Sequence, residues 1–122
     1  MGYRSGVVLA VSKEIMPHFL AALSRERTAA DLVFNEHDDL IKDYEGDGNL
    51  LIRWNGIKWY DDEPPMAAIM KFVADPLNFG PAPDGGVDAQ DCFRFVRIGE
   101  EPEDCEYHGY GFDIHVNRTI DY

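Results

Sequence analysis

The stretch LIRWNGIKWYDDEPP, residues 51–65, decides the fold of this chain. Its apolar residues alternate with polar ones as in a β-strand, and the alternation shifts by one position at Asn55-Gly56. A two-residue hairpin turn and a β-bulge inside one long strand both explain this shift. In either structure the same residues share a face of the sheet. The apolar face carries Ile52, Trp54, Ile57 and Trp59, and the polar face carries Arg53 and Lys58.

The two tryptophans of this stretch fit either the core of a sheet or an exposed platform on which nucleic-acid bases stack. The charge of the chain favours the core. Its 122 residues include 23 acidic and 11 basic ones, which gives a net charge of −12. A protein with this charge repels polyanions, so we expect no direct binding of DNA or RNA. The length fits one domain, spanning residues 1–122.

The end of the stretch predicts a helix. Acidic residues at 61–63 precede Pro64 and Pro65, and proline suits the first position of a helix. The apolar residues that follow repeat at three and four positions up to Val73, and Pro76 ends the pattern. We interpret the acidic triplet as cap and helix-dipole chemistry, with a metal site as the less favoured alternative.

The first half of the chain predicts a strand, a helix and two further strand pieces. GVVLAVS, residues 6–12, is a compact apolar run typical of a buried strand. Ser12 is a good N-cap for the helix that follows, although Pro17 favours a start near Glu14 or Ile15. The predicted strand pieces after this helix are residues 32–34 and 40–44.

The second half predicts a loop, a strand, a second loop and a closing strand. In the first of these strands Phe93 and Phe95 alternate with Arg94 and Arg97. The complete pattern predicts an α+β fold, a mostly antiparallel sheet with two helices on one face. It is related to the split βαβ (ferredoxin-like) arrangement and has an extra C-terminal strand. The predicted segments are a loop at 78–91, a strand at 92–99, a loop at 100–111 with five acids in residues 100–106, and a strand at 112–122.

The chain contains no residue pattern of known catalytic chemistry. Its serines and cysteines have no nucleophile-elbow context, and it has no glycine-rich phosphate loop. Cys105, His108 and His115 lie near one another, but a zinc site of this type needs a second matched pair. We therefore predict that the protein is not an enzyme, with no catalytic residue, metal or cofactor. Two cysteines, no signal peptide and no membrane span predict reduced thiols and a cytoplasmic protein.

Several segments resemble a family of small proteins encoded by tailed bacteriophages and prophages. They are MGYRS, IKWYDDEPPMAAIMKF, FRFVRIGEEPEDCEYHG and FDIHVNRTID. The resemblance implies a phage protein that acts in the cytoplasm of a host cell. For a small, acidic, non-enzymatic protein it favours an inhibitor of a host nuclease-based defence complex, of the anti-CRISPR or anti-restriction type.

Acidic residues cluster in predicted turns and loops. Solubility explains such clusters, and so does a surface whose carboxylates imitate nucleic-acid phosphates and fill a basic groove of a partner protein. We predict the second role, with a host protein or complex that binds nucleic acid as the partner. The predicted binding residues are Glu36, Asp38, Asp39, Asp43, Glu45, Asp47, Glu100, Glu101, Glu103 and Asp104.

Two alternatives remain open at this stage. One is a small-ligand or metal-dependent module, regulatory or hydrolytic, that uses a polar strand face. The other is a phage assembly protein. The residues of the polar strand face are Arg53, Lys58, Arg94, Arg97 and His115.

Overall fold

The computed structural model describes residues 4–44, 46, 48–83, 88–101, 103–112, 114–117 and 119–121, with residues 115–117 and 119–121 described by their backbone. It contains seven strands and three α-helices. The strands are β1 (Ser5–Val11), β2 (Asp39–Tyr44), β3 (Asn49–Ile57), β4 (Phe93–Ile98), β5 (Cys105–His108), β6 (His115–Asn117) and β7 (Thr119–Asp121). The helices are α1 (Met16–Ser24), α2 (Arg27–Phe34) and α3 (Pro64–Ala74), with short 3-10 helices at Pro76–Phe79 and Ala89–Cys92.

Five strands form one antiparallel sheet in the order β2-β3-β1-β4-β5. Both β1 and β2 run antiparallel to β3, which lies between them, so the segment from β1 through α1 and α2 to β2 is a split βαβ unit. The segment from β3 through α3 to β4 repeats this arrangement around β1. The predicted α+β class, with its mostly antiparallel sheet and its split βαβ relationship, is confirmed.

The central strand β1 explains why its sequence is a continuous apolar run. Residues Val7–Val11 are all fully buried, because both faces of the strand are covered. Val7, Leu9 and Val11 face the three helices. Val8 and Ala10 face the opposite side, where they pack with Ile114 from the C-terminal segment.

The Asn55-Gly56 step lies inside one continuous strand, β3. β1 pairs Val7 with Trp54 and Ser5 with Ile57, so β3 has one more residue than β1 between these pairs. Gly56 supplies the bulge with a φ of 74°, which glycine adopts without strain. The β-bulge is therefore present and the hairpin turn is not. All four apolar residues of the stretch belong to the helix-side core, and Trp54 and Trp59 are 1% and 5% exposed.

Residues 32–34, predicted as a strand piece, lie in helix α2, and the sheet is therefore covered by three helices, not two. Ala29, Leu32 and Val33 are the buried residues of this helix, at the three- and four-residue spacing of an apolar helical face. The carboxylate of Glu26 accepts a hydrogen bond from the Thr28 N–H and caps the helix. The indole Nε1 of Trp54 donates to the Leu32 carbonyl at 3.0 Å and joins α2 to β3.

The additional strand of the sheet is β5, within the segment predicted as an acidic loop. Cross-strand pairing of β5 with β4 was not visible in the sequence because acidic residues and a short length hide its alternation. The segment predicted as one closing strand instead forms a separate hairpin of β6 and β7. Contacts of this hairpin with β1 and β4 place it over the face of the sheet opposite the helices.

The capping residues at the starts of helices α1 and α3 differ from those predicted. Helix α1 begins at Met16, and Ile15 rather than Ser12 occupies the N-cap position. Helix α3 begins at Pro64 and ends at Ala74, as its sequence predicted. Its N-cap residue is Glu63, whose side chain makes no capping hydrogen bond. The acidic triplet therefore does not act as a side-chain cap for this helix.

Candidate functional site

One end of the five-stranded sheet gathers carboxylates from three segments of the chain. β1 begins there and β3 and β4 end there, because Ser5 pairs with Ile57 and Gly6 with Ile98. The turn from β4 to β5, the start of β2 and the connection from β3 to α3 all lie at this end. We call it the acidic end. Its acidic residues are Asp38, Asp39, Asp61, Asp62, Glu100, Glu101, Glu103 and Asp104.

An open cavity of about 460 Å³ lies at the acidic end. Trp59 and Tyr60 supply aromatic surface, and Asp61, Asp62 and Asp104 supply carboxylates. Trp59 is held from the other side by the rings of Trp54 and Phe95, whose centroids lie 5.4 and 5.7 Å from its own. A rigid aromatic wall beside carboxylates suits a cationic side chain, since aromatic faces and carboxylates both attract guanidinium and ammonium groups.

Arg97 is the basic residue that lines this cavity, and its charge is neutralised by two carboxylates. Its Nη2 lies 2.8 Å from an oxygen of Asp104, and its Nε lies 3.1 Å from an oxygen of Glu106. Nη1 also donates to the hydroxyl of Ser5 at 3.1 Å. The hydrogen bond to Asp104, more than any other contact, raises the pKa of Arg97. The guanidinium is therefore a fixed part of the fold.

Glu106 connects Arg97 to a histidine on the same face. Its second oxygen lies 2.8 Å from Nε2 of His108, whose ring contacts Phe95 with centroids 5.8 Å apart. Burial alone would raise the pKa of Glu106, but the hydrogen bonds from His108 and Arg97 outweigh burial and lower it. The carboxylate is thus ionised and paired at neutral pH.

The predicted acidic surface is only partly gathered at this end. Asp38 and Asp39 lie there, and both are engaged: Asp38 accepts from the Asn55 N–H at 2.6 Å, and Asp39 pairs with Arg53 across the strands. Asp43 lies at the far end of β2, where its carboxylate accepts from the Gly48 N–H. Glu36 is exposed just after α2, and Glu45 and Asp47 lie outside the described residues.

In the turn between β4 and β5, the four predicted residues differ in their contacts. Glu100 accepts from the Arg4 N–H at 2.9 Å, and Asp104 binds Arg97. Glu103 is exposed and makes no ion pair within the part of the chain that the structure describes, and the same holds for Asp61 and Asp62. Glu101 completes the turn and is exposed.

Trp59, Tyr60, Asp61 and Asp62 were missed as site residues by the sequence reasoning. We had assigned the tryptophan to the core and the acids to a helix cap. The available signal was the direct succession of an aromatic pair and an acidic triplet. Because these residues directly follow β3, their order in the sequence places carboxylates beside aromatic rings.

The described arginines of the alternative polar strand site lie on two faces of the sheet. Arg97 follows Phe93 and Phe95 on the helix side, because it pairs opposite Val7, whereas Arg53 and Arg94 pair opposite Val8 and Ala10 on the other side. Arg94 is engaged with the Gly109 carbonyl at 2.6 Å. Lys58 is exposed near the end of β3, and the side chain of His115 is outside the described part.

Among the described residues, no group of three or more histidine, cysteine, aspartate or glutamate side chains is arranged to hold a metal ion. Among the same residues, no helix combines the length and the apolar character needed to cross a membrane. Burial raises the pKa of the Cys92 thiol, which disfavours its reactive thiolate form.

Comparison of the chain with protein-family models, with curated proteins and with solved structures finds no match. The resemblance to phage proteins therefore stays a prediction.

Proposed function

We propose that this protein is a binding protein whose acidic end docks on a basic surface of a partner protein. The observation that carries the proposal is the meeting of two acidic segments at the cavity beside Trp59 and Tyr60, where Asp61 and Asp62 lie on one side and Asp104 on the other. An arginine or lysine of the partner would lie against the aromatic rings and face Asp61 and Asp62. The partner class is a protein whose basic surface normally binds nucleic acid, because such a surface is built to attract closely spaced anions.

The biological role that we propose is inhibition of a host nucleic-acid-binding or nuclease defence complex by a phage-encoded protein. The net charge of −12 supports this role, since a strongly acidic protein is steered to a basic groove and competes there with nucleic acid. The resemblance of the sequence to phage proteins supports the host context. The fold by itself supports no particular activity.

The experiment compares two charge variants of equal size. The acidic-end variant carries Asp61→Lys, Asp62→Lys and Glu103→Lys, all exposed residues without a described ion pair. The control variant carries Glu14→Lys, Asp75→Lys and Asp91→Lys, exposed residues near the opposite end of the sheet. Both variants change the net charge by the same amount, so only the location of the change differs.

The tagged wild type and both variants are used to capture proteins from nuclease-treated bacterial lysate at low and high salt. We expect the wild type and the control to retain one stoichiometric nucleic-acid-binding protein, released by salt and by added DNA. We expect the acidic-end variant to lose it. A partner that is held equally by all three proteins, at both salt concentrations, contradicts the proposal.

A further inference from the structure

A second cavity, of about 330 Å³, lies between the helices and shares no lining residue with the cavity at the acidic end. It is bounded by the end of α1, the first half of α3 and the 3-10 helix Pro76–Phe79. We call it the helix pocket. Its volume is within the range of small-molecule sites, which is about 300–1,000 Å³. The pocket exists because Ala22, Ala67 and Ala68 place only methyl groups where larger side chains would fill the space between the helices.

The rim of the helix pocket carries two cations. Arg25 and Lys71 are exposed, and neither makes an ion pair with any residue in the described part of the chain. Arg53 and Arg97, by contrast, are paired with carboxylates. Both side chains are therefore available to an anionic ligand at this cavity.

Two charged residues that line the helix pocket, Arg25 and Glu26, are held by contacts with neighbouring residues. The guanidinium carbon of Arg25 lies 4.5 Å from the centre of the Phe79 ring, so the cation is held at the wall of the pocket. Glu26 is the one carboxylate residue that lines the pocket. Its Oε2 accepts from the Thr28 hydroxyl at 2.9 Å and from the Thr28 N–H at 3.3 Å, as the cap of α2. That carboxylate is held by the helix and has no described ion pair with Arg25 or Lys71, so the two cations and the one carboxylate leave the lining with a net positive charge.

We infer that the helix pocket binds a small organic carboxylate with an apolar body. The apolar body, a ring or a short branched chain, packs against the alanine methyl groups and Phe79. The carboxylate meets Arg25 and Lys71 at the rim, where a charge-assisted hydrogen bond is stronger than a neutral one. This inference concerns a different surface from the acidic end and does not depend on the proposed function.

The test uses phenylacetate as the probe and phenylacetamide as its uncharged counterpart. Each is titrated into the isotope-labelled, full-length protein up to about 10 mM, enough to detect millimolar affinity, while backbone amide shifts are followed by NMR. We expect saturable shifts with phenylacetate at residues 22–26, 66–71 and 79, and at least tenfold weaker binding of phenylacetamide. Equal binding of acid and amide, or no saturable shift with the acid, overturns the inference.

Variants assign the binding to this pocket. Ala67→Leu fills the cavity and Lys71→Gln removes one rim cation, so each should weaken phenylacetate binding at least fivefold. The control is Lys42→Gln, which removes an exposed cation from β2, outside the pocket. If Ala67→Leu does not fold, Arg25→Gln and Lys71→Gln carry the test. Unchanged affinity in the pocket variants, or an equal loss in the control, overturns the inference. The acidic-end variant should bind phenylacetate as the wild type does.

Discussion

Among single residues, Arg97 shows where the apolar alternation of a strand fails to predict the environment of a charged side chain. The alternation of β4 predicted two phenylalanines on the core side, and it places Arg97 on that same side. From its charge, Arg97 is expected on the polar face, because a charge on the core side is costly unless it is paired. The pairing came from Asp104 and Glu106, in a segment that no pattern identified as a strand. Tertiary pairing decided the position of this residue.

Replacement of Glu106 by glutamine tests this pairing through pH. Because the folded-state pKa of Glu106 is lowered, its contribution to stability is present above the unfolded pKa, about 4.3, and is lost as pH falls through the folded value. We expect Glu106→Gln to lower the free energy of unfolding by about 1 kcal/mol at neutral pH, and the difference to shrink below about pH 4.

Urea unfolding at pH 7 and at lower pH measures both quantities. The control is Glu103→Gln, at an exposed residue without a described ion pair, which should change stability by less than about 0.5 kcal/mol. A difference for Glu106→Gln that stays constant across this pH range would show that its charge is not the source of the effect.

Gly56 tests the bulge that the sequence left open. Its φ is +74°, and a Cβ added there meets no other atom within 4 Å, so a substitution encounters backbone strain without a clash. We expect Gly56→Ala to cost about 1 kcal/mol and Gly56→Asn to cost less, since asparagine tolerates this conformation better. Thermal and urea unfolding measure the order of the two variants. Equal stability of wild type and Gly56→Ala would contradict a left-handed conformation at this residue.

Helices and strands with a strong apolar periodicity could be predicted from the sequence. Strands that form through pairing with distant segments could not. β1 and α3 have strong apolar patterns, and both were predicted close to their observed bounds. Helix α2 was predicted as a strand piece because its apolar run, Leu32–Phe34, is short. β5 and the hairpin of β6 and β7 were misassigned because cross-strand pairing depends on residues far apart in the chain.

The C-terminal segment gives a prediction at this scale. Ile114 is 1% exposed and packs with Val8, Ala10, Leu51 and Val96 on the face of the sheet opposite the helices. We expect Ile114→Ala to lower the free energy of unfolding by about 2–4 kcal/mol, because it leaves a cavity in this layer. Leu77→Ala, at a residue that is 47% exposed, is the control and should cost less than about 0.5 kcal/mol. Similar costs for the two variants would mean that the segment does not seal this face.

For the whole molecule, the net charge follows from the composition, but the positions of the acidic residues on the surface do not. The net charge predicts that nucleic acid is not a direct ligand and favours a basic partner. Only the order of the strands shows that residues near positions 38, 61 and 104 lie at one end of the sheet, and that Asp43 lies at the other. Several predicted binding residues also serve the fold, and Asp39 and Asp104 are the clearest examples.

The central claim is that the acidic end, and not the acidic charge as a whole, binds the partner. The most direct measurement is the amount of partner retained by the acidic-end variant relative to the control variant, at about 150 mM salt, where the screening length is about 8 Å. We predict at least a tenfold loss of retained partner, or about 1.4 kcal/mol, for the acidic-end variant, and less than a twofold loss for the control. Equal retention by the two variants would contradict the claim.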